Sequence, residues 1–425
     1  MKRIFFLLPL LIVACTTSPR NNGEVALLPE WKEGYLDIHT INTGRGNCQF
    51  FILPDGTTMM IDAGDFDIEK YRETYAPMTC SDPVPNDKES AAQVIAKYIE
   101  NIPGLTVDEI DYFLLTHFHS DHYGQLREGL HMNEDGSYKL VGITELNEYL
   151  PIKKLIDRGY PEYSYPVNMR DRVNKDGSEY DPSFNNYLRF VDSRIASGRM
   201  EAESLIPGSE MQIRLLKNDE YQFSVKGIKN GDRLWAGNGT ETIKLFEVGD
   251  VLSKGVKVKE NQMSCAIVME YGPFRYFAGG DNSGLVDQDH PLWNDIETPM
   301  SAVVGKVSAM TLNHHGNRDA TNLNFLNALD PKVILMQTWS SDHPGQESGQ
   351  RLISKNVGTR TRDIFMTYYH PLTGLGIGPW FEKEVKATNA NFVLRVYPDY
   401  HYDVFVLDCF SLEPVVLEKY GPYEN

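Results

Sequence analysis

Residues 110–126 read IDYFLLTHFHSDHYGQL, and this stretch decides the fold. Ile110 to Leu115 is a short apolar run rich in aromatic and branched side chains, which predicts a buried strand. It passes without a turn residue into His117, His119, Asp121 and His122, four metal-ligating side chains within six residues. Side chains two apart on an extended chain point the same way, so His117 and His119 can share one metal. Asp121 and His122 follow where the chain turns into a helix, within reach of a second metal beside the first. Neutral imidazoles and a carboxylate suit zinc, manganese or iron. The chain has 11 histidines in all, so three in one strand exit is a concentration that calls for a chemical reason.

Strand-like segments flank the cluster on both sides. Before it come LDIHTINTG (36–44), NCQFFILP (47–54) and TTMMIDAG (57–64), punctuated by Gly44-Arg45-Gly46 and Pro54-Asp55-Gly56 turns. After it come SCAIVMEY (264–271), FRYFAGGD (274–281), AMTLNHHG (309–316), KVILMQ (332–337), NFVLRVY (391–397) and DVFVLD (403–408). Helical spacing of Ala91, Ala92, Ile95 and Ile99 predicts a helix over 88–100. Asp181-Pro182 is a cap-and-first-turn pair, and Phe184, Tyr187, Leu188, Val191 and Ile195 follow it up to Gly198. Shorter helices are expected over 322–329 and 346–354. Residues 145–250 read as an irregular middle section, with the Gly- and Asn-rich 226–241 as a loop. Two strand-rich halves with helices between them predict an α/β four-layer αββα sandwich spanning 35–425.

The first fourteen residues read as a signal peptide: Lys2 and Arg3, then an apolar run to Val13 too short for a permanent span. Ile12-Val13-Ala14-Cys15 resembles a bacterial lipobox, which implies cleavage before Cys15, acylation of its thiol and a lipid anchor to the cell envelope, at the periplasmic face or the cell surface. Residues 15–34 then serve as a tether. The chain carries 41 Lys+Arg against 59 Asp+Glu, a net charge of −18; Lys2 and Arg3 leave with the leader, so the body is at −20. Such acidity argues against long nucleic acid as a partner and leaves room for a small phosphoester. Cys48, Cys80, Cys265 and Cys409 are far apart with no C-x-x-C spacing, which argues against a thiolate zinc site. No G-x-S-x-G elbow appears, which argues against a serine hydrolase.

The HxHxDH run at 117–122 is the signature of the metallo-β-lactamase superfamily, and the resemblance extends further. Asp62 ends an early strand, and Asp281 follows Gly279-Gly280 at a strand end. Within the superfamily the chain most resembles the extracytoplasmic ComEC-type branch. Gly44-Arg45-Gly46-Asn47, Asn261-x-x-Ser264, His314-His315-Gly316 and His343-Pro344 occur in that branch's order. Two departures stand out. Between His122 and Asp281 the one histidine is His131, too early for the family's additional ligand, a lack that ComEC-like members share. Arg45 and Asn47 replace the usual Gln and Asp.

The resemblance implies a hydrolase that uses a metal-activated water, with one or two divalent transition metals, zinc first and manganese or iron beside it. His117, His119 and Asp281 would serve the first metal. Asp121, His122, Asp281 and His314 would serve the second, with Asp121 also orienting the water. His315 would face the substrate, and the reverse assignment of the His314–His315 pair stands beside this one. His343 would face a phosphate or support the site from behind. Phosphoesters or phosphodiesters are the implied substrates, since the His-His-Gly branch resembles nucleases and a teichoic-acid phosphorylcholine esterase. The alternatives are a lactone or β-lactam hydrolase, and a non-catalytic metal- or ligand-binding lipoprotein. His39 alternates with Ile38 and Ile41 and reads as packing; His370 and the tyrosines read as core and rim.

Overall fold

A computed structural model describes residues 26–170, 172–176, 179–253, 257–286 and 291–425. The leader and Cys15 lie outside the described residues. No described helix is long and apolar enough to cross a membrane.

Two nine-stranded sheets form the centre. The first runs, in spatial order, through Val416–Tyr423, Tyr402–Leu407, Asn391–Val396, Leu36–Thr40, Cys48–Ile52, Thr58–Ala63, Ile110–Leu114, Ile152–Asp157 and Glu201–Ser204. The second runs through Val385–Thr388, Asp363–Met366, Val333–Met336, Ala309–Thr311, Phe274–Ala278, Ala266–Tyr271, Phe223–Asn230, Arg233–Trp235 and Thr242–Lys244. An early and a late strand thus meet in one sheet: Asn391–Val396 pairs antiparallel with Leu36–Thr40. The join is fastened by Arg395, whose guanidinium donates to both oxygens of buried Asp37 at 2.8 and 2.7 Å. A buried, bidentate pair of this kind fixes register more than it adds stability.

Period-two alternation sorts side chains to the two faces of each sheet. Leu36, Ile38, Phe51, Met59 and Ile61 meet Ile267, Met269, Tyr276, Leu335 and Phe365 of the other sheet. The outer face of the first sheet is covered by Ala91–Glu100 and Pro182–Ala196 through Ile95, Ile99, Phe184 and Tyr187. The outer face of the second is covered through Met300, Phe325, Leu326, Leu352 and Phe381. The result is the expected αββα layering. Ser90 and Gln93 form a reciprocal cap on the first helix, and Asp181 caps the second by accepting from the Phe184 N–H at 3.0 Å.

The middle section departs from expectation. Besides the expected helix Pro182–Ala196, the described residues of 145–250 hold five strands and the end of the helix Ile143–Tyr149. Phe223–Asn230, read as largely loop, pairs along its length with Ala266–Tyr271. Its Gly227 marks a close backbone approach to Ile206, and its Lys229 is buried with Nζ donating to the Gln262 and Ser264 carbonyls at 2.8 and 2.9 Å. These residues look like loop in sequence, yet tertiary pairing makes them strand. All four described cysteines are buried and unpaired.

Candidate metal centre

Each functional side chain sits just past the carboxyl end of a strand, where parallel neighbours place several strand exits together. His117, His119, Asp121 and His122 follow Ile110–Leu114, Asp281 follows Phe274–Ala278, and His314 and His315 follow Ala309–Thr311. Two donor groups form. Asp121, His122, Asp281 and His315 have ligand atoms within 4.8 Å of one another, as do His117, His119 and Asp281. Asp281 belongs to both: its Oδ2 lies 3.6 Å from His117 Nε2, 3.4 Å from His122 Nε2 and 3.5 Å from His315 Nε2.

Hydrogen bonds behind the rings decide which nitrogen faces inward. His122 Nδ1 donates to Asp62 Oδ2 at 2.7 Å. His315 Nδ1 donates to the Gln337 carbonyl at 3.0 Å. Thr116 Oγ1 gives its single proton to Asp62 at 2.8 Å, so it accepts from His117 Nδ1 at 3.1 Å. In their neutral form all three rings therefore carry their proton on Nδ1 and turn an Nε2 lone pair toward Asp281. Such outer partners fix the tautomer of ligating histidines. Lone pairs converging on a carboxylate repel unless a cation stands between them. His122 Nε2 and Asp281 Oδ1 are buried with no hydrogen-bond partner, and the donor set is one that zinc, manganese or iron accepts. The residues fit a divalent transition metal in each group.

The electrostatics agree. Burial opposes ionisation of Asp121 and Asp281, but the neighbouring His122 and the other imidazoles outweigh it and hold both carboxyls well below their ordinary range. Burial likewise opposes charge on His315, but in the absence of a metal Asp281 and Asp121 lift its pKa to about 10, so a proton on Nε2 then stands where a cation would. His117 moves the other way, well down, through burial and then the charge of His122. The cluster draws positive charge to the His122–His315 side.

Of the two assignments of the His314–His315 pair that the sequence leaves open, the structure places the His315 ligand atom in the second group and His314 outside it. Both residues are left-handed, with φ of 44° and 54°, so the chain winds back after Leu312 and swings the second histidine over the cluster. His315 is buried, stacked on His343 at 4.5 Å between ring centres. His314 sits at the rim, 4.0 Å from Asp281 Oδ2, with Nδ1 2.5 Å from Asp319 Oδ1 and Nε2 3.1 Å from the Asn261 amide. His343 lies against Trp339; burial and then the charge of His315 push its pKa down to about 3, so it is neutral. The weak bond from the Ser340 N–H to its Nδ1, at 3.4 Å, leaves the proton on Nε2.

The Asn261-x-x-Ser264 match resolves into two contacts: Asn261 on His314, and Ser264 Oγ accepting from the Asp281 N–H at 3.0 Å. Gly46 and Gly64 bracket the Asp121 carbonyl so closely that an added Cβ would lie 2.3 and 1.9 Å from its oxygen, and the Asn47 N–H donates to it at 2.8 Å. His39 bonds Tyr98 in the core and His370 caps the helix Pro371–Ile377; neither joins the site. Two supports carry no sequence signal. Glu260, held by Arg158 through two 2.6 Å bonds, accepts from the Phe118 N–H and so fixes the backbone between His117 and His119. Buried Glu297 accepts from Asn313 Nδ2 and from the Thr321 and Asn322 N–H groups, clamping the loop that carries His314 and His315.

No family model matches the chain, and no curated protein matches it. Solved structures do. CmlA, a diiron β-hydroxylase from Streptomyces venezuelae, is similar at 12% identity and a TM-score of 0.36, over 86% of this chain and 55% of that one. Zn2+-bound PqqB from Methylobacterium extorquens is similar at 10% identity and a TM-score of 0.32, over 85% of this chain and 99% of that one. A protein of the metallo-β-lactamase superfamily from Thermotoga maritima is similar at 9% identity and a TM-score of 0.25, over 71% of this chain and 74% of that one. This chain spans about half the length of CmlA. At these identities and scores the likenesses carry nothing about chemistry, which rests on the residues of the site itself.

Proposed function

We propose that the chain is a metal-dependent hydrolase of phosphoester or phosphodiester bonds, of metallo-β-lactamase type, held to a bacterial envelope by a lipid on Cys15. One observation carries the hydrolase reading: two donor groups share Asp281, with the Nε2 lone pairs of His117, His122 and His315 fixed inward by Thr116, Asp62 and Gln337. His117, His119 and Asp281 would hold one metal; Asp121, His122, Asp281 and His315 would hold the other. A divalent metal in such a site acidifies water and withdraws charge from a phosphoryl oxygen.

The chain's own groups do the rest. Asp121, at the rim of its group, orients the attacking water and takes up its proton. His314 stands outside both groups, and the Asp319 carboxylate behind it stabilises a proton on the ring. With Nδ1 held by Asp319, a second proton on Nε2 is the one that the ring delivers to the leaving oxygen. His343 offers an Nε2–H beside His315 to a non-bridging oxygen of the phosphoryl group. Donors at His314 and His343 suit an anionic substrate, and the acidic balance of 41 Lys+Arg against 59 Asp+Glu favours a small one over a long polyanion.

The test is a screen of the zinc-, manganese- and iron-loaded protein on phosphomonoesters, phosphodiesters, lactones and β-lactams. Phosphoester turnover that Asp121→Asn abolishes is expected. Turnover confined to lactones or β-lactams would replace the substrate class, and metal binding without turnover on any of the four would leave a metal-binding lipoprotein.

A further inference from the structure

A cavity of about 740 Å3 opens beside the metal centre and includes none of its donors. Phe66 is part of its wall. Behind it, Phe66 packs on Trp339 with ring centres 4.3 Å apart, and Trp339 meets His315 at 5.6 Å. Two aromatic rings in succession therefore separate the cavity from the cluster. Arg45, in the Gly44-Arg45-Gly46 turn, and Arg127 line it with Asp65 between them. Asp65 is fully buried; it accepts from Arg127 Nη2 at 2.9 Å and stands 3.7 Å from Arg45 Nη1. Its Oδ1, on the Arg45 side, has no hydrogen-bond partner.

Arg45 is the anomaly. Its side chain is only 13% exposed, yet among the described residues its guanidinium makes no hydrogen bond. Its N–H donors thus border the cavity without a protein acceptor. The other charges of the cavity are largely engaged. Arg72 is taken by Asp82 and Glu69, Asp67 caps the helix Ile68–Tyr75, and Glu89 pairs with Lys97. Asp87 and Lys88 also line the wall. Asp65 serves two arginines with one charge. The remaining nearby acid, Glu145, receives a hydrogen bond from Ser90 Oγ at 2.7 Å, and burial raises its pKa, with the Asp65 charge adding to the rise.

We propose that this cavity is a second binding site, taking an oxyanion, a phosphate or carboxylate group, on the free face of the Arg45 guanidinium. A planar guanidinium with a carboxylate 3.7 Å behind it and its donors unused can make two-point contact with such a group. The oxyanion has two sources: a second anionic group of the substrate whose ester lies at the metal centre, or a separate small anion. The site stands on Arg45 and Asp65 and does not depend on hydrolysis at the cluster.

Inorganic phosphate is the probe, titrated calorimetrically into the full chain with a chelator present, so that the metal centre cannot take it up. Wild type should bind, and Arg45→Gln should weaken binding at least about tenfold with an unchanged melting temperature. Arg45→Lys, which keeps the charge but loses the fork, should fall between them. Should Arg45→Gln not fold, Arg45→Lys and the phosphate-induced rise in wild-type melting temperature carry the test. No chelator-resistant binding in wild type, or undiminished binding in Arg45→Gln, overturns the proposal. Metal-loaded kinetics separate the sources. A raised KM with unchanged kcat in Arg45→Gln, for a doubly anionic ester but not a singly anionic one, assigns the site to substrate. Phosphate binding that leaves KM untouched assigns it to a separate anion. A protein that hydrolyses nothing still reports phosphate binding, so the two readings fail separately.

Discussion

Asp62→Asn is a substitution of nearly equal size that should disable a metal ligand it does not touch. Asp62 accepts from His122 Nδ1 at 2.7 Å and from the Thr116 N–H and Oγ1 at 2.8 Å each. An asparagine has one acceptor and one donor where the aspartate had two acceptors. If its oxygen faces Thr116, its NH2 faces His122 Nδ1, which must then accept; the ring proton moves to Nε2 and the lone pair that faces Asp121 and Asp281 is gone. If its oxygen faces His122, its NH2 is set against the Thr116 N–H. The first arrangement removes the ligand lone pair, and the second leaves the buried Thr116 N–H without its acceptor. Backbone strain is not a confounder, because Asp62 sits at φ 59° and asparagine adopts that conformation readily. Lost outer-shell support costs about 10- to 100-fold in metal affinity, or about 1.4 to 2.7 kcal/mol. Metal-free stability should fall by about 1 to 3 kcal/mol as well. Competition with a chelator of known affinity reads the first, denaturant unfolding the second. An unchanged affinity for the tighter metal would refute the assignment of His122 Nε2 as a ligand.

His315→Ala should strip the metal shared with Asp121 and His122, whereas His314→Ala should keep it and lose turnover by about 10²–10⁴-fold; equal metal loss in both, measured by elemental analysis, would undo the division of roles. His39 is fully buried, and burial holds its pKa below the ordinary 6.5 against the pull of Asp37. The unfolded chain takes up a proton as pH falls through 6.5 and the native chain does not, so stability falls with pH below that point, by at most about 1.4 kcal/mol per pH unit for this one group. His39→Phe should flatten that limb in denaturant midpoints taken between about pH 7.5 and 5, and an identical slope would contradict the argument. Cys15→Ser should be synthesised but no longer labelled with palmitate or partitioned into detergent; unchanged labelling would refute the lipid anchor.

The parts of the site legible in sequence are those whose geometry is local. His117 and His119 alternate on one strand exit, and a helical turn brings Asp121 and His122 back beside them, so spacing alone placed them. The His314–His315 pair was not legible because its order depends on two consecutive left-handed residues, a conformation no propensity favours for histidine. Glu260, Arg158 and Glu297 act on backbone N–H groups far away in sequence, and a lone acid or base gives no pattern to read. For the fold, apolar alternation marked the central strands. Phe223–Asn230 and Val416–Tyr423 escaped because glycine and charged residues dilute the alternation, and neighbouring strands supply what propensity lacks.

The most direct test is metal stoichiometry in wild type and Asp281→Ala after loading and removal of loosely held ions, with circular dichroism confirming that both are folded. Asp281 alone belongs to both donor groups. Wild type should retain between one and two equivalents of zinc, manganese or iron, and Asp281→Ala should retain none. A loaded wild type without metal, or an Asp281→Ala protein with its full complement, would contradict the metal centre.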